Sequence, residues 1–326
     1  MLFFSLTGSG FFSLFNFQSI GANMAILMIM AIGQTFVIIS GGIDLSTGYV
    51  MGLSSVIGAL TMTSFPKGTP LFIIVLAGLL VGLVAALVAG WINGMVIARL
   101  RVPPFIVTLG MFGIARGTGF LFSGGMPVPA QVEGLGKIGN GYLAYYHPQA
   151  GFTFFSQPPG LQGAALREVV GILPNMLVLM IVLALIANWV LTRTQFGLHT
   201  YAIGGNSEAA VRAGIPVITR TVTLYMLSAT FAAFAGFVYN VRFTNGAANA
   251  GEGLLLDSIA AVVIGGASLF GGAGTVIGTL IGALIIAIIQ NGLVILSINP
   301  FWQFVAVGII IILAVLVDQA RANVVK

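Results

Sequence analysis

The sequence predicts an all-α integral membrane protein, a polytopic bundle of transmembrane helices. Of the 326 residues, 58% are hydrophobic and only 6% are charged, against roughly 25% charged residues in a soluble domain. The mean hydropathy is +1.10 over the whole length, so the apolar surplus is too large for one compact core and lipid must solvate the outside. These observations exclude an ordinary soluble protein.

The length of the apolar runs predicts the number of spans. A membrane-spanning helix needs roughly 20 mostly apolar residues, and runs of this size bounded by Gly, Pro or charge predict about nine spans in a single transmembrane domain, 1–326. The predicted spans are 21–41, 46–63, 70–98, 103–123, 171–192, 216–241, 254–270, 274–298 and 300–318. The second and seventh are short, which is typical of broken helices beside a polar pathway.

Basic residues predict the orientation of these spans. If the spans alternate, one side carries most of the basic residues: Arg99, Arg101, Arg193, Arg212, Arg220, Arg321 and Lys326. The positive-inside rule makes that side the cytoplasm. The opposite side holds fewer basic residues: Lys67, Lys137, Arg167 and Arg242. Their charge is partly balanced by Glu133, Glu168 and Glu252. With the C-terminus in the cytoplasm, nine spans leave the N-terminus outside, which indicates a missing or truncated first helix.

Several classes of chemistry are excluded by residues that the sequence lacks. The chain has no Cys, which rules out disulfides, thiolate catalysis and cysteine-ligated metal sites. It has no Gly-x-x-x-x-Gly-Lys-Ser/Thr run, so it does not hold nucleotide phosphates in the Walker manner. His147 and His199 have no second ligand at metal spacing. The net charge of +5 is small and sits in short loops. We therefore expect no catalytic residues, no metal, no cofactor on this chain and no nucleic-acid partner.

One long segment outside the spans lies on the predicted outer side. This outer-side loop region, 124–170, is rich in Gly, Pro, Tyr and Phe. Long loops of this kind are either functional or disordered. Two interpretations stay open, a segment folded over the outer mouth and a flexible connector.

The segment 204–216 in the main cytoplasmic loop predicts a short surface helix. Asn206 or Ser207 can cap its start, and Gly214 and Pro216 can end it. Its small residues suit insertion into a groove on a partner: Ala209, Ala210 and Ala213. The alternative is a helix that merely caps the bundle.

Neutral amides inside the predicted spans are candidates for the solute path, since polar groups are costly in lipid. An amide both donates and accepts hydrogen bonds, so it matches a sugar hydroxyl without adding charge. We expect Gln34 and Asn93 to line the path. Further amides have the same chemistry, although hydrogen bonds between helices use the same residues: Asn188, Asn240, Gln290 and Asn291.

Three charged residues complete the path candidates. Asp44 lies at a Gly-rich break, where it either caps the next helix through Ser46 and Thr47 or lines the path, and capping is favoured. Asp257 begins the seventh span, where a carboxylate complements the helix dipole by about 0.3–1 kcal/mol. Arg116, late in the fourth span, must reach an acidic partner, carbonyl groups or the interface by snorkelling.

Several motifs in order resemble one family of proteins. Glu208-Ala209-Ala210 followed by Gly214 resembles the Glu-Ala-Ala loop of ATP-binding-cassette (ABC) importer permeases. Five further segments resemble the ribose, xylose and galactose branch of that family: 40–46, 104–110, 201–206, 256–266 and 313–318. The resemblance covers nearly the whole chain from Phe11 onward. It departs at the start, where family members usually carry a cytoplasmic tail and one more span.

The resemblance implies a transport subunit of a bacterial inner membrane that is not itself an enzyme. A soluble sugar-binding protein would deliver a pentose, hexose or furanose, and two permease chains, identical or related, would form the path through the lipid. Cytoplasmic ABC ATPase subunits would bind ATP-Mg and dock on a coupling helix carrying Glu208, Ala209, Ala210 and Gly214.

Other functions stay open beside this one. Permeases for nucleosides, autoinducer-type signals or branched-chain amino acids share much of this architecture. An ion-coupled secondary transporter, from a different class, would need titratable groups in the spans. The only plausible candidates for that role are Asp44, Arg116 and Asp257.

Overall fold

The chain folds mainly into helices. The computed structural model describes residues 11–161, 163–299, 301–302, 304–309, 312–313 and 316. Within this part of the chain, six helices are long and apolar enough to cross a membrane: α1 (Leu14–Ile39), α3 (Leu71–Leu100), α4 (Pro104–Ser123), α6 (Asn175–Arg193), α9 (Val217–Phe243) and α11 (Val276–Ile295). The expectation of a multi-pass helical bundle is confirmed, whereas the larger count of about nine spans is not. The predicted span 300–318 lies partly, and Arg321 and Lys326 wholly, outside the described residues.

Two further helices are short. They are α2 (Thr47–Thr63) and α10 (Glu252–Ile264), the second and seventh predicted spans. The 13 residues of α10 extend over about 20 Å, less than the roughly 30 Å of a bilayer core. Ahead of α10, segment 247–251 enters the bundle along α2, where Ser55 Oγ donates to the Ala247 carbonyl (3.2 Å) and accepts from the Ala247 amide (3.1 Å). Helix α10 therefore begins inside the bundle.

Helix α1 forms the centre of the bundle. It packs against α6, α9, α10 and α11, and almost every residue from Met24 to Ile39 is buried. A helix that is apolar on all sides is expected in such a position. Helix α3 is equally apolar but mostly exposed. Besides Ile74 and Asn93, it buries a stripe of small residues against α2 and α9: Gly78, Gly82, Ala86, Ala89, Gly90 and Gly94. Small residues allow this close approach between membrane helices, so the rest of α3 is left to face lipid.

The outer-side loop region contains strands, which the all-α expectation missed. After β1 (Val128–Pro129) and α5 (Leu135–Asn140), strand β2 (Tyr142–His147) pairs antiparallel with both β3 (Gly151–Phe154) and β4 (Val170–Pro174). A 3₁₀ helix, Gly163–Glu168, precedes β4. Strand β1 pairs with β5 (Asn245–Gly246). Strands β2 and β4 contact α6, and β4 contacts α1, so the region is folded onto the bundle.

The loops gather at two ends of the bundle. The basic end comprises 40–46, 101–103, 194–216 and 265–275, joined by bonds such as Gly272 N to Ile39 O (2.8 Å) and Thr108 Oγ1 to Ile43 O (3.3 Å). It carries the described arginines that the orientation argument placed together: Arg99, Arg101, Arg193, Arg212 and Arg220. The opposite end, here the sheet end, comprises 64–70, 124–174 and 244–246. The two short helices lie between these ends.

Candidate functional site

A buried polar cluster occupies the break between α1 and α2. Gln34 Nε2, on α1, donates to the Asp44 main-chain carbonyl (2.6 Å) and to Thr47 Oγ1 (2.9 Å). Asn93 Nδ2, on α3, donates to Ser46 Oγ (3.0 Å). The cluster thus brings together three residues predicted from sequence, Gln34, Asp44 and Asn93, and holds the chain in its break.

The Asp44 carboxylate is the centre of this cluster. Its Oδ1 accepts from the Ser46 amide (3.0 Å) and from Ser46 Oγ (2.6 Å), and its Oδ2 accepts from Ser228 Oγ on α9 (2.9 Å). The bond to Ser46 lies in the turn before α2, and Thr47 bonds the Asp44 carbonyl and not the carboxylate. Ser228 was missed, because a serine 184 residues along the chain gives no local signal.

This inner cluster is closed to solvent. Gln34, Asp44 and Asn93 are at most 1% exposed. Gln34 Oε1 and Asn93 Oδ1 are buried without a hydrogen-bond partner among the described residues. Buried acceptors of this kind are uncommon and mark a place where a water or ligand group is needed. A role of these amides in the solute path stays a prediction.

A second set of polar side chains lines an open groove between α1, α10 and α11. The polar lining is Ser19, Asn23, Gln290 and Asn291. Gln290 Nε2 donates to Asp257 Oδ2 (2.8 Å), and Asn291 Nδ2 donates to Asn16 Oδ1 (3.0 Å). Asp257 therefore holds the amide of Gln290 in place beside Asn291, the next residue of α11.

The expected dipole role of Asp257 is wrong. Helix α10 begins at Glu252, after Gly251, so Asp257 lies in the second turn, where the helix-terminal field has decayed. Glu252 occupies the first turn instead. The side chain of Asp257 serves as a hydrogen-bond acceptor for Gln290.

Arg116 and Asn240 have other surroundings. The Arg116 guanidinium lies 5.5 Å from the ring centroid of Tyr49, within the range of a cation–π contact. Among the described residues no carboxylate forms a salt bridge with it. Asn240 Nδ2 donates to the Ser55 carbonyl (2.9 Å) between two helices. Neither residue joins the inner cluster or the groove.

The predicted surface helix is present at the basic end. Helix α7 (Gln195–Gly205) is followed by α8 (Ser207–Arg212). Asn206 Oδ1 accepts from the Ala209 amide (2.9 Å), so Asn206 rather than Ser207 caps α8. Gly214 has a φ of 80°, and the Ile215 amide donates to the Ala210 carbonyl (3.0 Å). This left-handed closure is a common helix end that favours glycine.

One face of α8 is free. Glu208, Ala209 and Ala213 are exposed, whereas Ala210 is only 3% exposed and packs inward, which corrects the expectation that all three alanines face a partner. Glu208 lies 3.9 Å from Arg212, and both side chains are more than 80% exposed. An ion pair this open adds little stability, so Glu208 remains available to another molecule.

Helix α7 is fixed to the ends of two other elements by a set of close contacts, here the glycine junction (Ile39, Tyr201, Gly204, Gly272 and Gly274). Tyr201 Oη donates to the Gly274 carbonyl (2.7 Å). A Cβ on Gly204 would lie 1.8 Å from the Ile39 carbonyl oxygen, so the backbones touch. Segment 265–275 forms the turn between α10 and α11. Helix α7 is therefore in direct contact with the end of α1 and with this turn.

The hydroxyl of Tyr201 remains a donor at neutral pH. Burial raises the pKa of Tyr201 above its ordinary value of 10.0, because a phenolate loses hydration when it is removed from water. The hydrogen bond to Gly274 is thus present throughout the physiological pH range.

Polar groups buried at breaks between membrane helices are the architecture of transport proteins, and the fold defines a multi-pass membrane permease. Comparison with known families agrees with this class. Residues 16–315 match the family described as branched-chain amino acid transport system / permease component. The chain belongs to this family.

Curated relatives match nearly the whole chain. The fructose import permease protein of Rhizobium meliloti is 37% identical over 96% of this chain and 80% of its own length. The ribose import permease protein of Bacillus subtilis is 36% identical over 98% and 89%. The xylose transport system permease protein of Escherichia coli is 35% identical over 98% and 89%. No solved structure matches the chain.

Proposed function

We propose that this chain is the membrane permease subunit of an ABC importer that moves a monosaccharide across a bacterial inner membrane. The relatives named as sugar import permeases support the solute class. The neutral amides of the two polar sites support it as well, because they pair with hydroxyls without adding charge. ATP-Mg is bound and hydrolysed by a partner ATPase.

The observation that carries the proposal is the position of α8. It presents Glu208 and Ala209 at the basic end, and α7 before it touches the end of α1 and the α10–α11 turn. An ATPase that binds α8, with Gly214 closing the helix, can therefore act on α1 and α11 through the glycine junction. The docked ATPase must favour one conformation over the other, since equal docking to both would shift nothing.

The solute path follows from the same arrangement. We place Gln34, Asp44, Asn93, Asp257 and Asn291 along it, with α2 and α10 as broken helices that complete a set of about nine membrane segments. Arg116 lies beside this path over Tyr49. A soluble binding protein delivers the solute at the sheet end, and a second permease chain, identical or related, completes the path. Specificity then resides largely in the binding protein.

A branched-chain amino acid is the second candidate solute, favoured by the family description. A zwitterion needs fixed partners for an ammonium and a carboxylate group, because each charge loses its hydration in the path. Of the described residues that line the groove, none is charged. The amides therefore fit a neutral polyol better than a zwitterion. An ion-coupled transporter remains an outcome of the experiment.

The test is uptake by proteoliposomes that contain the chain, its ATPase and its binding protein. The solutes are fructose, ribose, galactose and xylose, with leucine for the alternative. We expect uptake of one sugar that requires ATP and the binding protein and that an ionophore leaves unchanged. Uptake of leucine but of no sugar would show that the solute is a branched-chain amino acid and not a monosaccharide. Uptake that follows a proton or sodium gradient without ATP would overturn the proposal.

A further inference from the structure

The groove between α1, α10 and α11 has the features of a solute-binding site. Thr35 on α1 and Thr279 on α11 lie 2.7 Å apart, oxygen to oxygen, and fix the register of the two helices. Asn23 and Asn291 each lie twelve residues farther toward the sheet end, about 18 Å along their helices. Both amides therefore reach the same level of the bundle, near the sheet end, where α11 ends at Ile295.

Hydrogen bonds hold Asn23 by both parts of its amide, and Gln290 and Asn291 by the nitrogen. Asn23 Oδ1 accepts from the Arg242 guanidinium, and its Nδ2 donates to Ser19 Oγ (3.3 Å). The Nδ2 of Asn291 is bonded to Asn16 (3.0 Å), while its Oδ1 is buried without a hydrogen-bond partner among the described residues. The bond from Nδ2 thus orients an acceptor for which the described residues supply no donor.

The floor of the groove is apolar. Met24 and Leu27 of α1 and Leu254 in the first turn of α10 contribute to it. Because α10 begins inside the bundle, the groove lies at the start of a discontinuous helix, the position at which transporters place their solute sites. Oriented amides above an apolar floor match a sugar ring, whose hydroxyls project from its edge and whose C–H groups form its faces.

We propose that this groove binds the neutral polyhydroxylated solute, with Asn23, Gln290 and Asn291 as contact residues and Asp257 as the residue that positions Gln290. This inference rests on the proposed function and assigns it a site. The side chains of Asn23, Gln290 and Asn291 are at least partly exposed, although Oδ1 of Asn291 itself is buried. Gln34 and Asn93, in contrast, are sealed in the inner cluster. The solute therefore meets the groove first, and the inner cluster lies farther along, toward the basic end.

The absence of native cysteine allows a direct test. Single variants Asn23→Cys and Asn291→Cys are placed in the full complex in proteoliposomes, with Lys67→Cys in an exposed loop of the sheet end as the matched control. A membrane-impermeant methanethiosulfonate reagent is added with and without each sugar of the uptake panel at high concentration. The labelling rate of each thiol is measured.

We expect all three thiols to react, and one sugar to slow labelling at positions 23 and 291 at least threefold while position 67 is unchanged. Failure of the two groove thiols to react, or equal rates with and without every sugar, would overturn the inference. Labelling requires no ATP. If the wild-type complex imports a sugar but that sugar does not protect the thiols of the groove variants, the site alone is refuted. If the thiols are protected but the wild-type complex shows no ATP-driven uptake, the proposed function alone is refuted.

The positioning role of Asp257 has its own readout. Asp257→Asn keeps an acceptor oxygen for Gln290, so protection of Asn291→Cys should persist. Asp257→Leu removes that acceptor, so the sugar concentration for half protection should rise several-fold while labelling without sugar is unchanged. Equal protection in both variants would refute this role.

Discussion

Tyr201 Oη donates a 2.7 Å hydrogen bond to the main-chain carbonyl of Gly274. This bond joins α7, which precedes the surface helix α8, to the turn from which α11 rises. Since α11 carries Gln290 and Asn291 at its other end, one helix connects the basic end with the groove. The energetic coupling between those two places is expected to pass through this contact.

Loss of that bond should weaken the coupling. Tyr201→Phe removes one hydrogen bond, worth about 0.5–1.5 kcal/mol net, so ATP hydrolysis stimulated by the binding protein should fall by a factor of about two to ten. Because the raised pKa keeps Tyr201 protonated, the defect should be constant between about pH 6 and 9. Tyr146→Phe, at the sheet end, is the control and should hydrolyse ATP like wild type. Equal stimulation in Tyr201→Phe would show that the bond transmits nothing.

The close approach at Gly204 predicts a stability effect. Gly204→Ala puts a Cβ 1.8 Å from the Ile39 carbonyl oxygen, and overpacking of this kind costs about 1–3 kcal/mol. Gly205→Ala meets nothing within 4 Å and should be neutral or slightly stabilising, since alanine favours the helix. Thermal unfolding of the purified protein separates the two. If both variants have the melting temperature of wild type, α7 does not contact α1 at Gly204.

The carboxylate of Asp44 predicts a further stability effect. Ser228→Ala removes a donor at 2.9 Å from Asp44 Oδ2, and a buried acceptor left without its partner costs about 1–3 kcal/mol. The buried Ser258 bonds the Leu255 carbonyl of its own helix (2.7 Å), so Ser258→Ala should cost less than about 1 kcal/mol. Unfolding in detergent measures both losses. A larger loss in Ser258→Ala than in Ser228→Ala would contradict the arrangement of the inner cluster.

The sequence predicted those features that depend on local pattern. Long apolar runs locate the six spanning helices, and the run from Asn206 to Gly214 contains the cap and the stop of α8 as its structure has them. The short second and seventh runs likewise became α2 and α10. In each case the signal lies within a few neighbouring residues, where helix length, capping and glycine preference act directly.

Features that depend on contacts between distant segments were not predicted. Strands β2, β3 and β4 are short and lie in a segment without regular alternation, so periodicity does not reveal them. The bond from Ser228 to Asp44 and the pairing of Gln290 with Asp257 join different helices. The start of α10 was placed at 254 because the apolar run was bounded by the charge of Glu252, whereas the helix begins at Glu252, which puts Asp257 in the second turn.

Co-purification tests whether α8 docks into an ATPase as proposed. Ala209 is exposed on the free face of α8, so Ala209→Trp adds bulk to the docking face without entering the fold. The variant, wild type and the exposed-loop control Lys67→Trp are each co-purified with the partner ATPase in nanodiscs. We expect wild type and Lys67→Trp to retain the ATPase, and Ala209→Trp to lose it with an unchanged melting temperature. Retention of the ATPase by Ala209→Trp, or its absence from wild type, would show that α8 is not the docking helix.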